Sequence, residues 1–226
     1  MNFRPKRFSG RRVAIVSGIR TPFAKAGSEL APLSAVDLGV IAVQEAIARA
    51  EIDAKDIDHV IIGNVAQPPN AANISRVISL FAGVPKSVPA VTVQRNCASG
   101  MEAISMGATQ VATGQADVCL VGGTESMSNI PILFQDSFKN AFFQFAFAKS
   151  IPQKLAALAK IKLKNLTPVI GVEEGLRDPV SGQNMGQTAE NLARDWKITR
   201  EEQDQFALLS HQRAVAARDK LRNEMV

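Results

Sequence analysis

The sequence predicts a layered α/β fold: a mixed, mostly parallel sheet with helices on both faces, plus an inserted segment. Three observations carry this. Short apolar runs alternate with amphipathic stretches between residues 12 and 126, joined by short links. Strand and helix alternation of that kind builds a parallel sheet covered on both faces. Past residue 127 the rhythm breaks, and from 184 it returns as purely helical. Hydrophobic residues make up 46% of the 226, enough for a substantial core.

The elements follow in order. "RVAIVSGIRTPF" (12–23) reads as a buried strand with a turn at Pro22. "SAVDLGVIAVQEAIARAEI" (34–52) reads as a helix, because Val36, Val40, Val43 and Ile47 recur at helical spacing and Ser34 can cap it. "HVIIGNVA" (59–66) is a second apolar strand. "NISRVISLFAGV" (73–84) is a short helix stopped near Gly83 and Pro85. "AVTVQRN" (90–96) is a third strand, "CASGMEAISMGATQVATGQ" (97–115) a third helix, and "DVCLVGGTES" (117–126) a fourth strand. The stretch after 127 shows no strand alternation. "NMGQTAENLARDW" and "TREEQDQFALLSHQRAVAARDKL" are helices, the second opened by a Thr199–Glu202 capping box. "NEMV" reads as a strand just beginning.

In such sheets ligands sit at the carboxyl ends of the strands. Asn64, Cys97 and the pair Gly122 and Gly123 each follow a strand and are expected to share one edge. A helix opening at Cys97 would aim backbone N–H groups and a positive dipole end at the sulfur. Such a position favours a nucleophilic thiolate, and the same N–H groups could hold an oxyanion. Ala98, Ser99 and Gly100 are small and would let a substrate approach. A buried, inert cysteine fits the spacing equally well. Cys119, between Val118 and Leu120, reads as a core thiol. His59 and His211 have no partner pattern and read as structural or surface residues.

Composition narrows the classes. Net charge is +5, Tyr is absent and Trp196 stands alone, so stacking platforms for nucleic acid are poorly supplied and no nucleic-acid partner is expected. No apolar run reaches the roughly 18 residues of a membrane span. "MNFRPKRFSGRR" is basic but has no apolar h-region, so no secretory signal is expected. Two cysteines without metal-ligand spacing make neither a disulfide framework nor a metal site, and point to a reducing, cytoplasmic setting.

"NCASGMEAI", "GGTESMS" and "NMGQTAENLA", with "VAIVSGIRTPF" and "GVPKSVPAVTVQRNCASG", resemble the amino-terminal half of a thiolase. The resemblance runs from about residue 12 to the last. Gln94 and Asn184 depart from it. Thiolases usually carry Asn or another small polar residue at the first position, and many short-chain biosynthetic thiolases carry His at the second. The resemblance implies a thiolase-like fold divided as a basic extension (1–11), an N-terminal core (12–126), an inserted loop domain (127–183) and a helical return (184–226). It implies that Cys97 attacks the keto carbonyl of a 3-ketoacyl-coenzyme A, keeps the acyl group as a thioester and passes it to coenzyme A. Coenzyme A is then a substrate and no cofactor is expected. Met185 and Asn184 would be substrate-binding, with Met185 lining the acyl pocket. Gly122 and Gly123 would let backbone pass close to Cys97, or form a plain turn.

Thiolases also use a histidine in a "GHP" motif, a second cysteine in a Gly-rich turn and an asparagine in a "NEAF"-type motif. None of these motifs occurs in the 226 residues. The expectation is therefore a first half without its C-terminal domain, inactive alone. A homodimer or higher oligomer paired through residues 90–96 is also expected.

Residues 139–164 hold Lys139, Lys149, Lys154, Lys160, Lys162 and Lys164 with no acid, together with Phe142, Phe143, Phe145 and Phe147. Ile151, Leu155, Leu158 and Ile161 fall on one helical face. Such a segment could meet an anionic membrane or the phosphates of coenzyme A, or pack on its own core. It resembles the loop of trifunctional-type fatty-acid oxidation thiolases, which implies a hydratase/dehydrogenase partner subunit. Three readings compete: an acetoacetyl-coenzyme A thiolase, a non-catalytic acyl- or sterol-binding module, and a ketoacyl synthase. Cys97 argues against the module, and "GGTESMS" and "NMGQTAENLA" argue against the synthase.

Overall fold

A computed structural model describes residues 10–161, 167–171 and 175–226. Residues 1–9 of the basic extension, and Lys162 and Lys164, lie outside the described residues. The chain forms two compact units. The first runs to Asn129 and includes Arg213–Val226, and the second is Ile130–Gln212.

The first unit is built on three parallel strands, β1 (His59–Gly63), β2 (Ala90–Val93) and β3 (Cys119–Gly123), in the order β2-β1-β3. Val60 stands opposite Ala90 on one side and Leu120 on the other. Helices α1 (Ala35–Ala50), α2 (Ile74–Phe81) and α3 (Ser99–Thr113) connect and cover them. The period of two in β1 splits its side chains between two layers. Val60 and Ile62 join Val36, Val43, Ile74 and Ile78 in one core under α1 and α2. On the other face Gly63 meets Ser99 of α3, and Gly107 of α3 meets Cys119 and Val121. Ile61, Ile74 and Ile78 are among the largest fully buried side chains. Each contributes roughly 1.5–3 kcal/mol by leaving water.

The helix boundaries have local causes. Ser34 caps α1 through a reciprocal box with Asp37, and the helix ends where Glu51 turns left-handed. Asn73 caps α2, and Gly83, with φ of 91°, ends it before Pro85. Gly114 closes α3 in the same left-handed way.

The strand expected over 12–23 is absent. Within that segment Arg20 alone bridges, to Met225, with its N–H donating to the Glu224 carbonyl and its own carbonyl accepting from the Val226 N–H. The beginning of a strand expected at "NEMV" is this bridge. Ile15 and Val16 stay 85% and 76% exposed. Apolar residues favour a strand only where a neighbour takes up the backbone groups. Among the described residues β3 pairs with β1 alone, and no ladder partner lies along residues 12–19. The segment is tethered at its start instead, where the Arg11 N–H donates to the Ala112 carbonyl and its guanidinium pairs with Asp117.

The second unit holds an antiparallel pair, β4 (Ile132–Phe134) with β5 (Pro168–Ile170), and helices α4 (Asp136–Phe147), α5 (Ile151–Ala159) and α6 (Met185–Trp196). Strands were not expected here, because three residues are too few for alternation to register. In the pair α4 and α5 the buried residues are Ala141 and Ala157, small enough for close approach. Ile161 falls beyond the end of α5, so the expected apolar face reduces to Ile151, Leu155 and Leu158, all exposed. Helix α7 (Arg200–Arg222) opens with the expected box: the Thr199 N–H donates to Glu202, and the Glu202 N–H donates to the Thr199 hydroxyl.

Candidate active site

Strand β2 ends at Val93 and α3 begins at Ser99, so Cys97 sits in the turn between them. The helix starts two residues later than its sequence predicts. Asn96 is the cause: its φ of 46° is left-handed and reverses the chain before Cys97. Asn tolerates that conformation better than most residues. Ala98 occupies the N-cap and offers no side-chain acceptor. The first-turn amides of α3 are therefore left uncapped by any side chain at that position. Cys97 is exposed.

The turn is tightly bonded. The Ser99 hydroxyl accepts from the Arg95 N–H at 2.8 Å and donates to the Asn96 carbonyl at 2.6 Å. The Ala98 N–H donates to the Arg95 carbonyl and the Ser99 N–H to the Asn96 carbonyl, each at 3.0 Å. The Arg95 guanidinium reaches forward to Glu102 at 2.7 Å.

Beneath the turn, backbone rests directly on backbone. A Cβ at Gly63 would lie 2.4 Å from the Ser99 carbonyl carbon and 2.7 Å from the Gly100 nitrogen. A Cβ at Gly123 would lie 3.2 Å from the Gly100 Cα and 3.4 Å from the Gly63 oxygen. Gly123 thus packs on the backbone of Gly100, three residues past Cys97, and not on Cys97 itself, while nothing lies within 4 Å of the Gly122 Cβ position. Gly63 was not singled out from sequence; its place at the end of an apolar run, directly before a polar residue, was the available signal.

Asn64 reaches the same edge. Its N–H donates to the Val93 carbonyl, while the Thr124 N–H donates to Gly63. The residue is 2% exposed, and its Nδ2 donates to the Thr124 carbonyl and to Glu125. Glu125 also accepts the N–H groups of Val65 and Ala66. Both neighbours of Nδ2 are acceptors, which fixes the amide orientation and leaves Oδ1 buried without a donor. Sequence reasoning missed Glu125, a lone acid inside a glycine- and serine-rich stretch.

At the opposite end of the sheet, Cys119 lies 3.6 Å from Gln110, whose Oε1 also meets His59 Nδ1 at 2.8 Å. Burial, and secondarily the nearby Asp58 charge, push the Cys119 thiol up. Cys119 is half-buried beside Gln110 and lies outside the core expected of it, while His59 takes a structural position through Gln110. Among the described residues no three His, Cys, Asp or Glu side chains gather as a metal site.

Asn184 and Met185 belong to the second unit. Asn184 caps α6, its Oδ1 accepting the Gln187 N–H at 2.9 Å while Gln187 reciprocates. Met185 is the first residue of that helix and is exposed. His211 is exposed on α7.

Chemically, the first unit offers an exposed thiol on a bonded turn, in front of an uncapped helix start, on a glycine-lined edge. Nucleophile and oxyanion donors can come from the same few residues.

The family model for the thiolase N-terminal domain matches residues 13–226. A 3-ketoacyl-CoA thiolase of Vibrio cholerae serotype O1 is 39% identical over 220 residues, covering 96% of this chain and 50% of that protein. One from Shewanella pealeana is 38% identical over 202 residues, covering 89% and 46%. Among solved structures, the Bacillus anthracis acetyl-CoA acetyltransferase superposes with a TM-score of 0.81 at 33% identity, covering 97% of this chain and 51% of that one. The Acat5 thiolase from Ascaris suum in complex with coenzyme A gives 0.77 at 33% identity, covering 93% and 50%. The chain spans about half the length of the curated relatives it matches. With the parallel sheet, the cysteine turn and these matches together, the chain belongs to the thiolase family and comprises its N-terminal domain.

Proposed function

We propose that this chain supplies the nucleophile half of a 3-ketoacyl-coenzyme A thiolase. The single observation that supports this best is the exposed Cys97 on its bonded turn in front of the uncapped start of α3. The Cys97 sulfur adds to the C3 carbonyl carbon, and its proton passes to a base. The C2–C3 bond then breaks with its electron pair on C2, releasing the enolate of acetyl-coenzyme A, which takes a proton. The acyl group stays on sulfur until the thiolate of coenzyme A attacks it and frees Cys97. The base and acid belong to the C-terminal half of the family, where the histidine and second cysteine motifs lie. Coenzyme A is substrate and product, and the reading needs no further cofactor. Two relatives named 3-ketoacyl-CoA thiolase support the substrate class, and the Ascaris thiolase was solved with coenzyme A. Asn184 and Met185 are the proposed substrate-binding pair, with Met185 against the acyl chain and Asn184 fixing the start of α6.

The same reading gives a cytoplasmic fatty-acid β-oxidation enzyme with a hydratase/dehydrogenase partner. It assembles at least as a homodimer through residues 90–96, where the outer side of β2 has no strand among the described residues. The test is co-expression with the C-terminal half of a 3-ketoacyl-coenzyme A thiolase. Thiolytic cleavage that disappears in Cys97→Ala supports the proposal, and cleavage that survives the substitution overturns it.

A second reading concerns the α4–α5 pair. Phe142, Phe143, Phe147, Ile151, Leu155 and Leu158 are all exposed, and Lys139, Lys149, Lys154 and Lys160 accompany them. That mixture of aromatic and basic side chains suits peripheral contact with an anionic membrane. No helix among the described residues is long and apolar enough to cross one. Flotation with phosphatidylglycerol vesicles, lost with neutral vesicles or in Phe143→Ser/Phe147→Ser, supports this reading. Equal flotation of the variant argues that the apolar face packs elsewhere.

A further inference from the structure

We propose that Ser99 is a positioning residue for Cys97. The inference rests on the reading of Cys97 as the nucleophile. Ser99 is the first residue of α3, one past the N-cap Ala98, and so does not hold the position from which a serine caps first-turn amides. It bonds backward instead. Its oxygen accepts the Arg95 N–H and its hydrogen goes to the Asn96 carbonyl, so both partners precede Cys97. Counting the Ala98 and Ser99 N–H groups, four hydrogen bonds tie the two residues before Cys97 to the two after it. Cys97 is the residue enclosed.

The chemistry of the side chain is specific. Only a hydroxyl can accept from an amide and donate to a carbonyl at one point. Ala would leave both groups unmatched. Ser99 is 4% exposed, so water does not readily take its place. The space is also tight, since the Ser99 backbone lies on Gly63 without room for a Cβ between them. The lock holds Asn96 in its left-handed conformation, and that conformation sends the chain past Cys97 into α3. The Arg95–Glu102 ion pair is an outer clasp over the same turn, with the arginine largely in solvent.

The consequence for catalysis is geometric. The sulfur must meet the carbonyl carbon while first-turn amides of α3 donate to the oxyanion that forms on it, and misplacement by about 1 Å can cost roughly 100-fold in rate. An alkylating reagent makes no such demand, because it needs only an accessible thiol. Ser99 is therefore expected to matter for acyl transfer and not for alkylation.

The experiment compares wild type, Ser99→Ala and Glu102→Gln, each co-expressed with the complementary half. Single-turnover acylation of Cys97 by a 3-ketoacyl-coenzyme A is followed by quenched mass spectrometry, and iodoacetamide labelling of Cys97 is followed in parallel. The expected result for Ser99→Ala is a maximum acylation rate roughly 10- to 100-fold lower, with an unchanged half-saturating substrate concentration and unchanged labelling. Glu102→Gln is expected to lose less. Equal acylation rates in wild type and Ser99→Ala overturn the proposal. So does a joint loss of acylation, labelling and thermal transition, which assigns Ser99 to the fold alone. If wild type is not acylated, the reading of Cys97 fails, and hydrogen exchange on the 226-residue chain judges the lock separately. There the Arg95 amide should exchange faster in Ser99→Ala while the β1 amides keep their protection, and an unchanged Arg95 amide contradicts the lock.

Discussion

At the amino ends of β1 and β3, side chains close the edge of the sheet. The Asp58 carboxylate accepts the N–H groups of Asp117 and Val118, Gln110 joins His59 to Cys119, and Arg11 pairs with Asp117. At the carboxyl ends of the same strands the edge is made by leaving side chains out. Gly63, Gly100 and Gly123 bring three backbones together, and the turn above them presents Cys97 to solvent. One sheet thus carries one cysteine near each end, in opposite surroundings. The exposure of each cysteine is thus set by the edge it sits on and not by the residue type. Charged and amide groups make a closed end, and absent side chains make an end open to solvent at Cys97.

The largest effect should come from refilling the open edge. Gly63→Ala places a Cβ 2.4 Å from the Ser99 backbone, which cannot swing aside as a flexible side chain would. The expected loss is about 1–3 kcal/mol, measured by urea denaturation. Gly122→Ala is the control: its Cβ position is open, and a change within about 0.5 kcal/mol is expected. Equal losses at both positions would mean that close approach is not what the edge requires.

The two cysteines offer the next comparison. Iodoacetamide at neutral pH should label Cys97 well before Cys119. Cys97 is exposed, while burial and the Asp58 charge raise the Cys119 thiol and deplete its thiolate. Peptide mapping after brief labelling checks this. Equal rates would erase the contrast between the two ends.

The smallest effect concerns the closed end. Bonds from the N–H groups of Val118 and then Asp117 hold the Asp58 carboxyl below its ordinary range. A carboxyl lowered by folding stabilises the fold above its unfolded value, about 3.9, and loses that contribution as pH falls through the folded value. Asp58 is exposed, so less than about 1 kcal/mol is at stake. Asp58→Asn should therefore be slightly less stable than wild type at pH 7, with the gap narrowing below pH about 4. A gap independent of pH would show that shape and not charge closes this end.

Much of this arrangement was legible before the structure. Val36, Val40, Val43 and Ile47 repeat at helical spacing, and the helix they imply forms from Ala35 to Ala50. The rule that ligands gather at carboxyl strand ends places Asn64, Cys97 and the pair Gly122 and Gly123 on one edge, where Gly123 makes the close backbone contact. What failed has physical reasons. "VAIVSGI" reads like β1 but has no ladder partner among the described residues, which no local pattern reports. The start of α3 was set two residues early because the left-handed Asn96 and the backward bonds of Ser99 follow no periodicity. In the sequence Ser99 reads only as a small residue. Gly63 and Glu125 went unremarked because a close approach, or a carboxylate spanning two loops, exists only once the strands are assembled.

The sulfur at the open end is proposed to carry the acyl thioester. Intact-mass analysis of the chain co-expressed with its complementary half, quenched during turnover of a 3-ketoacyl-coenzyme A, tests it most directly. One added acyl group is expected, mapped by peptide sequencing to Cys97 and absent in Cys97→Ala. An acyl group on Cys119 or elsewhere, or turnover that persists in Cys97→Ala, would contradict it.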